Sequence, residues 1–475
     1  MRLFYWVNGI FITINSVFLI HEFFWFTALP LVLLVIIISF LRIDILLLAI
    51  TFFTPLSVNV RDIGMGFGIS LPSEPLMMLL LCVFGLKVLL TGGYNRKILT
   101  HPVSILIALH LLWMGITSIS STMPFVSFKF FLSRIWFVCL FYFLGVPLFS
   151  TLKNIKFFIW LFCISLTVVI LYTIRNHYFT GFNEKAAHWV MDPFFNDHTS
   201  YAAVIVMFIP SVLYFLFDKT QHGIARGTAL SFLVLFVLAI ILSYTRAAWL
   251  SIAFSFFVFL IFILKIKFRT LLIASIALIT LFLSFQTEIF QKLEQNRQDS
   301  SKDISRHLKS ISNISTDASN LERINRWHSA WRMFLSKPIA GFGPGTYQFK
   351  YAPFQHSNEK TIISTNSGTK GTAHSEYLGP MAEQGGAGSL LFLLIIASVS
   401  FRTVKLFSAT KQKEIKPILL CVFLGLVSYF IHGLMNNFLD TDKASVPFWG
   451  FIAILVALDI KNSEEESASS EQEAA

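Results

Sequence analysis

Unbroken apolar stretches, each of about 15 to 20 residues, recur along most of this chain and restrict its fold more than any other feature. A soluble domain has no core large enough to hide them. Of 475 residues, 55% are hydrophobic and only 13% charged, and the mean hydropathy is +0.70. Such a chain needs an apolar solvent. A bilayer provides one, on condition that every backbone polar group is bonded within a helix or a closed barrel. The runs do not alternate with a period of two, which favours helices over barrel strands. Spans are expected near 5–20, 24–40, 43–57, 75–90, 103–121, 133–150, 156–173, 200–217, 226–242, 247–264, 269–285, 386–400, 416–434 and 446–460. The fold class is therefore all-α, a polytopic transmembrane bundle of about 12–14 spans. Residues 1–285 hold the first set of spans, 286–385 form one large loop, 386–462 hold the last spans, and 463–475 form a tail.

The net charge of +11 and pI near 9.4 would suggest nucleic acid in a soluble domain. Here there is no basic stripe interleaved with aromatics, and no nucleic-acid partner is expected. The positive-inside rule accounts for the excess. Arg96 and Lys97 form one cluster, Lys153 and Lys156 a second, and Lys265, Lys267 and Arg269 a third. Arg402, Lys405, Lys411, Lys413 and Lys416 form a fourth. The expected spans place an even number of crossings between successive clusters, so all four can share the cytoplasmic side, with both termini. Cys82, Cys139, Cys163 and Cys421 each fall in an apolar run and none forms a CxxC pair, so they read as small buried hydrophobes. Arg2 is followed by apolar sequence without a small-residue cleavage motif, which reads as a retained first span.

This orientation puts 58–74, 174–199, 243–246, 286–385 and 435–445 outside. The longest of these loops is too long to be a simple connection. Its first part, 299–320, is rich in Ser, Asp, Asn and Lys and reads as a flexible linker. From Glu322 to Lys337 the spacing of Ile324, Trp327, Trp331, Phe334 and Leu335 predicts an amphipathic helix on the membrane or on the bundle. Pro338 ends it, and Gly341-Phe342-Gly343-Pro344-Gly345 reads as a turn. The acidic tail from Glu464 is expected to be disordered.

Three outward segments carry ionisable groups. Ser243-Tyr244-Thr245-Arg246 is a tight turn between two spans, where Arg246 is either a snorkelling interfacial side chain or a ligand for an anion. Arg323 and Arg326 stand on the amphipathic helix, whose solvated face would ordinarily carry them. His374-Ser375-Glu376-Tyr377 leads into the next span, and a lone His in such a place is often only a polar loop residue. Taken together the three suit one chemistry. Two guanidinium groups can grip a lipid-linked diphosphate through bidentate bonds and neutralise the departing charge. An imidazole can take the proton of an attacking sugar hydroxyl. Outside the cytoplasm no nucleotide is available, so an activated sugar must arrive already on a lipid.

Arg323-x-x-x-Trp327, Pro338, Gly341-x-Gly343-Pro344-Gly345, His374-x-x-Tyr377-Leu378 and Glu383-x-Gly385-x-x-Gly388, with Ser243-x-x-Arg246-Ala247 upstream, resemble the signature of the O-antigen ligase/polymerase family. The resemblance covers roughly 243–390; elsewhere only the multi-span hydropathy agrees. Ser375 stands where the family usually has Asn, and the Ser-rich stretch before Glu322 is longer than is typical. The resemblance implies a GT-C-like helical membrane glycosyltransferase that needs no metal or cofactor. It would move a glycan from undecaprenyl diphosphate to an acceptor, lipid A core in the ligases, at the periplasmic face of the bacterial inner membrane. Related members polymerise repeat units or glycosylate proteins. By position, Arg246, Arg323 and His374 match the family's functional residues. No DxD-like pair occurs in the outward loops.

Weaker candidates for substrate contact are His198, Arg326 and Glu383. Asn196-Asp197-His198 has a competing reading as a helix cap, Arg326 as a surface residue, and Glu383 as a charge complementing a helix N-terminus. Glu376 is a candidate to orient His374 or a sugar. Tyr347 and Phe349 suit either a sugar ring or loop packing, while His110 and His432 in apolar runs read first as helix-packing residues. A non-enzymatic lipid or polysaccharide transporter is the rival from another class. It would show charges deep in the spans and repeat symmetry; the spans carry few charges, with Lys87 and Arg134 the main exceptions, and no repeat is evident.

Overall fold

The computed structural model describes residues 1–60, 68–218, 220, 222–266, 318–360, 364 and 371–474, with isolated positions between 269 and 284. Its helices follow the apolar runs. They are α1 (Arg2–Ile20), α2 (Leu29–Leu41), α3 (Ile43–Leu56), α4 (Ser73–Leu90), α5 (Pro102–Ile119), α6 (Pro124–Val138), α7 (Leu152–Phe179), α8 (His198–Phe217), α9 (Gly223–Leu242), α10 (Arg246–Ile263), α11 (Ala318–Ser336), α12 (Leu378–Ala409), α13 (Ile415–His432) and α14 (Asp442–Ala474). Among the described residues eleven helices are long and apolar enough to cross a membrane, and Tyr5–Ile20 and Ile43–Leu56 are shorter apolar helices. The all-α polytopic expectation holds. The span expected at 269–285 and the linker at 299–317 lie outside the described residues.

Local chemistry sets the helix starts. Proline occupies the first turn of α2, α5 and α6, where the missing N–H costs nothing. Thr151 and Asp197 cap α7 and α8 by accepting from Asn154 N–H and Ser200 N–H. After α6 the chain passes through a π-helical stretch, Cys139–Leu144, before ending at Leu148. The only strands among the described residues, β1 (Val58–Val60) and β2 (Ile69–Leu71), pair antiparallel between α3 and α4.

The last helix is the hub. From Ala444 to Leu458 every residue of α14 is buried, including Phe448, Trp449 and Phe451. A helix apolar on all sides belongs in the middle of a bundle. Polar clamps hold its two ends. Asp442 accepts from Ser57 Oγ and Ser73 Oγ, both at 2.6 Å. Asp459 meets His101 at 3.1 Å and Arg402 at 2.8 Å. Lys97 reaches Glu464 at 2.7 Å. The Arg96/Lys97 and Arg402 clusters thus share one end of the bundle, as the span count requires.

One expectation needs correction. The tail is not irregular: α14 continues through Glu464 to Ala474. Its Glu, Ser and Ala residues extend a helix that packing has already nucleated, and Asn462 bonds Glu466 one turn on at 2.8 Å. On α11, expected on the membrane or on the bundle, the face turned into the protein is the small and polar one. Glu322, Asn325, Arg326, Ser329, Ala330 and Met333 are buried, whereas Trp331 and Leu335 are exposed. The helix seats its small and polar side on the other loops and presents its apolar side outward, as an interfacial helix does.

Candidate active site

The loop motifs assemble by backbone docking. Phe342 N–H donates to Ala382 C=O at 3.1 Å, Gly343 N–H to Glu383 C=O at 2.7 Å and Gly386 N–H to Pro338 C=O at 2.9 Å. The turn at 341–345 therefore lies directly on the first turns of α12. That contact leaves no room for side chains. A Cβ on Gly343 (φ +110°) would stand 1.9 Å from Ser121 Oγ, and one on Gly385 (φ +70°) 1.9 Å from Ile339 O. Both φ values also lie where L-residues are strained. At Gly385 α12 kinks, and the Gln384 carbonyl accepts from Trp113 Nε1 at 2.8 Å. Ser127 Oγ donates to Pro344 C=O at 2.8 Å and Thr122 N–H to Phe342 C=O at 2.9 Å, which ties the turn to the start of α6.

Glu383 belongs to this scaffold. Its buried carboxylate accepts from Tyr347 N–H at 2.9 Å. Tyr347 is itself buried, donates to Arg326 C=O at 2.8 Å and stacks on Tyr351 with centroids 5.3 Å apart, so it packs the loop. Arg326, expected at the surface, is 4% exposed. Its Nε donates to Glu322 at 2.6 Å, its guanidinium lies 4.0 Å from the Tyr351 ring centroid, and Gly371 leaves space for it. Burial forces this cation to bring its own carboxylate. Glu359 similarly binds Arg332 at 2.6 Å and His328 at 2.9 Å, and the Arg332 bond holds its carboxyl below the usual range.

His374 stands where these pieces meet. It is half-buried, with φ +49°, a left-handed conformation unusual for a residue with a side chain. Its carbonyl accepts from Trp327 Nε1 at 3.3 Å, joining the loop to α11. Burial, then the positive charges of Arg323 and Arg326, lower its pKa to about 4, against the opposing pull of Asp197 and Glu322. Its ring is neutral at neutral pH. The neighbouring Ser375 Oγ accepts from Tyr377 and Leu378 N–H just ahead of α12. Glu376 anchors the segment from the other side. Its Oε1 accepts from Tyr429 OH and Phe438 N–H at 2.7 Å and Leu439 N–H at 2.9 Å. Burial pushes this carboxyl up, while Arg134 and the hydrogen bonds pull it down.

Arg323 is the common neighbour. His198, His374 and His432 all lie within its electrostatic reach, and Asp197 is near the same three. His198 opens α8, its ring centroid 4.1 Å from that of His188, and its Nδ1 has no partner among the described residues. Its carbonyl accepts from Thr245 Oγ1 at 3.2 Å. Arg246, the first residue of α10, follows immediately and is half-buried. The expected tight turn is present, with Tyr244 at φ +50° closing it. Asp197 caps α8 as predicted, accepting from Ser200 N–H and Thr199 Oγ1 at 2.7 Å.

Sequence reasoning undervalued His432. It is 1% exposed and ends α13 beside the Glu376 loop, since Gly433 C=O accepts from Glu376 N–H at 2.8 Å. Asn436 Nδ2, a donor only, is 3.2 Å from Nε2. The proton therefore sits on Nδ1, which has no acceptor among the described residues. An orphaned buried donor costs about 1–3 kcal/mol. Position at a helix end was its one sequence signal. Among the described residues no group of three or more His, Cys, Asp or Glu is arranged to hold a metal ion.

These features define a polytopic α-helical membrane protein with a site of arginines and imidazoles built from helix ends and one large loop. Residues 231–393, from α9 into α12, match the family model described as O-antigen ligase, and this match supports an assignment to that family. The match suggests a membrane enzyme that transfers glycosyl groups. Comparison with curated proteins found no match.

Proposed function

We propose that this chain is an O-antigen ligase-type glycosyltransferase. It moves a glycan from undecaprenyl diphosphate onto lipid A core oligosaccharide at the periplasmic face of the inner membrane. Arg246 and Arg323 hold the diphosphate, and His374 is the general base. The observation that carries this reading is the neutral imidazole of His374 set against Arg323. An unprotonated base within the field of two guanidinium groups suits a reaction with an anionic leaving group and a hydroxyl nucleophile.

In the transfer, the acceptor hydroxyl oxygen bonds to the anomeric carbon of the donor. The bond from that carbon to the diphosphate oxygen breaks, and undecaprenyl diphosphate leaves with the electron pair. The hydroxyl proton passes to His374. A single displacement inverts the anomeric centre. An imidazole with a pKa near 4 is a weak base, but the donor corrects this. A bound diphosphate offsets the positive field of Arg323 and Arg326, and the basicity of His374 rises when substrate is in place. Arg326, Glu322 and Glu383 set the loop, and Glu376 fixes the segment on which His374 sits. His198 lies where it can contact the glycan.

Reconstitution of the purified protein with a lipid-linked glycan and lipid A core tests the assignment. Transfer to lipid A core supports it. Extension of the glycan on its carrier lipid would identify a polymerase, and transfer to a polypeptide a protein glycosyltransferase. Absence of any transfer would overturn the enzymatic reading.

A further inference from the structure

A cavity of about 910 Å³ opens between α7, α8, α10, α12 and α13, well away from the arginine–histidine site. Val206 and Ile252 line its near end. They stand eight residues beyond His198 on α8 and six beyond Arg246 on α10, so the cavity begins roughly 9–12 Å below the site. Its body is aliphatic and aromatic, with Leu213, Phe256 and Phe259 among the lining. Every charged residue in the lining lies at the opposite end: Lys156, Asp218, Lys413, Glu414 and Lys416. Lys156 is neutralised by Asp218 at 2.9 Å. Two lysines then face one carboxylate, and the mouth is cationic.

We propose that this cavity binds one anionic phospholipid of the leaflet opposite the active site. Its acyl chains fill the apolar body, and its phosphate lies between Lys413 and Lys416. The polarity of the cavity selects this occupant over the donor's own polyprenyl tail. A tail descending from a diphosphate held at Arg246 would press its hydrocarbon end against the lysine mouth. A phospholipid entering from the other leaflet matches both ends, apolar to apolar and anion to cation. Binding would brace α8 and α10 against α13, the same helices whose far ends carry His198, Arg246 and His432.

The full-length protein in detergent is titrated with palmitoyl-oleoyl phosphatidylglycerol or phosphatidylcholine, and bound lipid is counted by native mass spectrometry. One phosphatidylglycerol should be retained, at least about fivefold tighter than phosphatidylcholine, the effect of about one lysine near an anionic headgroup. K413E/K416E should abolish that preference. L213W, which fills the apolar body, should lower occupancy by both lipids, with the melting profile reporting whether the variant is folded. No preference in the unaltered protein, or a preference that survives in K413E/K416E, overturns the proposal. So does one-for-one displacement of phosphatidylglycerol by undecaprenyl diphosphate, which would give the cavity to the donor.

Discussion

At the scale of single residues, the proposed site separates groups assigned to face substrate from groups that hold them. His374→Ala should lower glycan transfer by about 10²-fold or more, the usual contribution of a positioned base. Arg246→Ala and Arg323→Ala should be at least as damaging, with normal amounts of protein in the membrane by immunoblot. Full transfer by all three variants would reject the assignment. The pH profile carries a sharper signature. His374 must be neutral to act, so activity falls as pH drops through its pKa. In the free protein that value is about 4, and kcat/KM for the donor should hold nearly level down to about pH 5. Donor binding raises the pKa, so the acid limb of kcat should lie at higher pH. Coincident limbs would show that the diphosphate does not touch the field around His374. His432 offers a third test. His432→Asn keeps a donor near the Nδ1 position and should retain most activity, whereas His432→Phe should raise KM with kcat less affected. Equal loss in both variants would mean that the ring only packs.

At the scale of elements, the glycine pattern explains itself once the loop and α12 are seen together. Gly343 and Gly385 have positive φ and backbone or hydroxyl neighbours at 1.9 Å from any added Cβ. Gly385→Ala should therefore release the 338–345 turn from α12, making it sensitive to limited proteolysis and abolishing transfer. A protease pattern and activity like those of the parent would show that the docking is dispensable. The spacing of these glycines was legible in the sequence as a turn and as a family resemblance. Their pairing was not, because backbone hydrogen bonds between 341–343 and 382–383 leave no trace in residue type. The same limit applies to α11. Periodicity found the helix, but hydrophobicity left open whether its apolar face meets the membrane or the bundle. In a protein surrounded by lipid, apolar residues have two places to go, and small or paired polar residues can claim the interior.

At the scale of the whole molecule, a shared site requires its residues to lie on one side of the membrane. Cysteines introduced at 246 and 374 should label from the same side of the membrane, and cysteines at 97 and 411 from the other. Labelling of 246 and 374 from opposite sides would leave no common site. The lysine and arginine clusters predicted such a division, and the contacts of Lys97 with Glu464 and Arg402 with Asp459 at one end of α14 agree with it.

Hydropathy alone determined that this chain is a bundle of membrane helices, because a bilayer admits few other ways to satisfy the backbone. Charge distribution determined which ends belong together. Residue type and order, by resemblance, singled out Arg246, Arg323 and His374. Tertiary structure alone decided that His198 and His432, more than two hundred residues apart, share the field of Arg323. It also decided that Arg326 and Glu383 are buried supports. The reason is physical: pattern along a chain reports which solvent each residue prefers, whereas the meeting of charges depends on which helix ends the packing around α14 brings together.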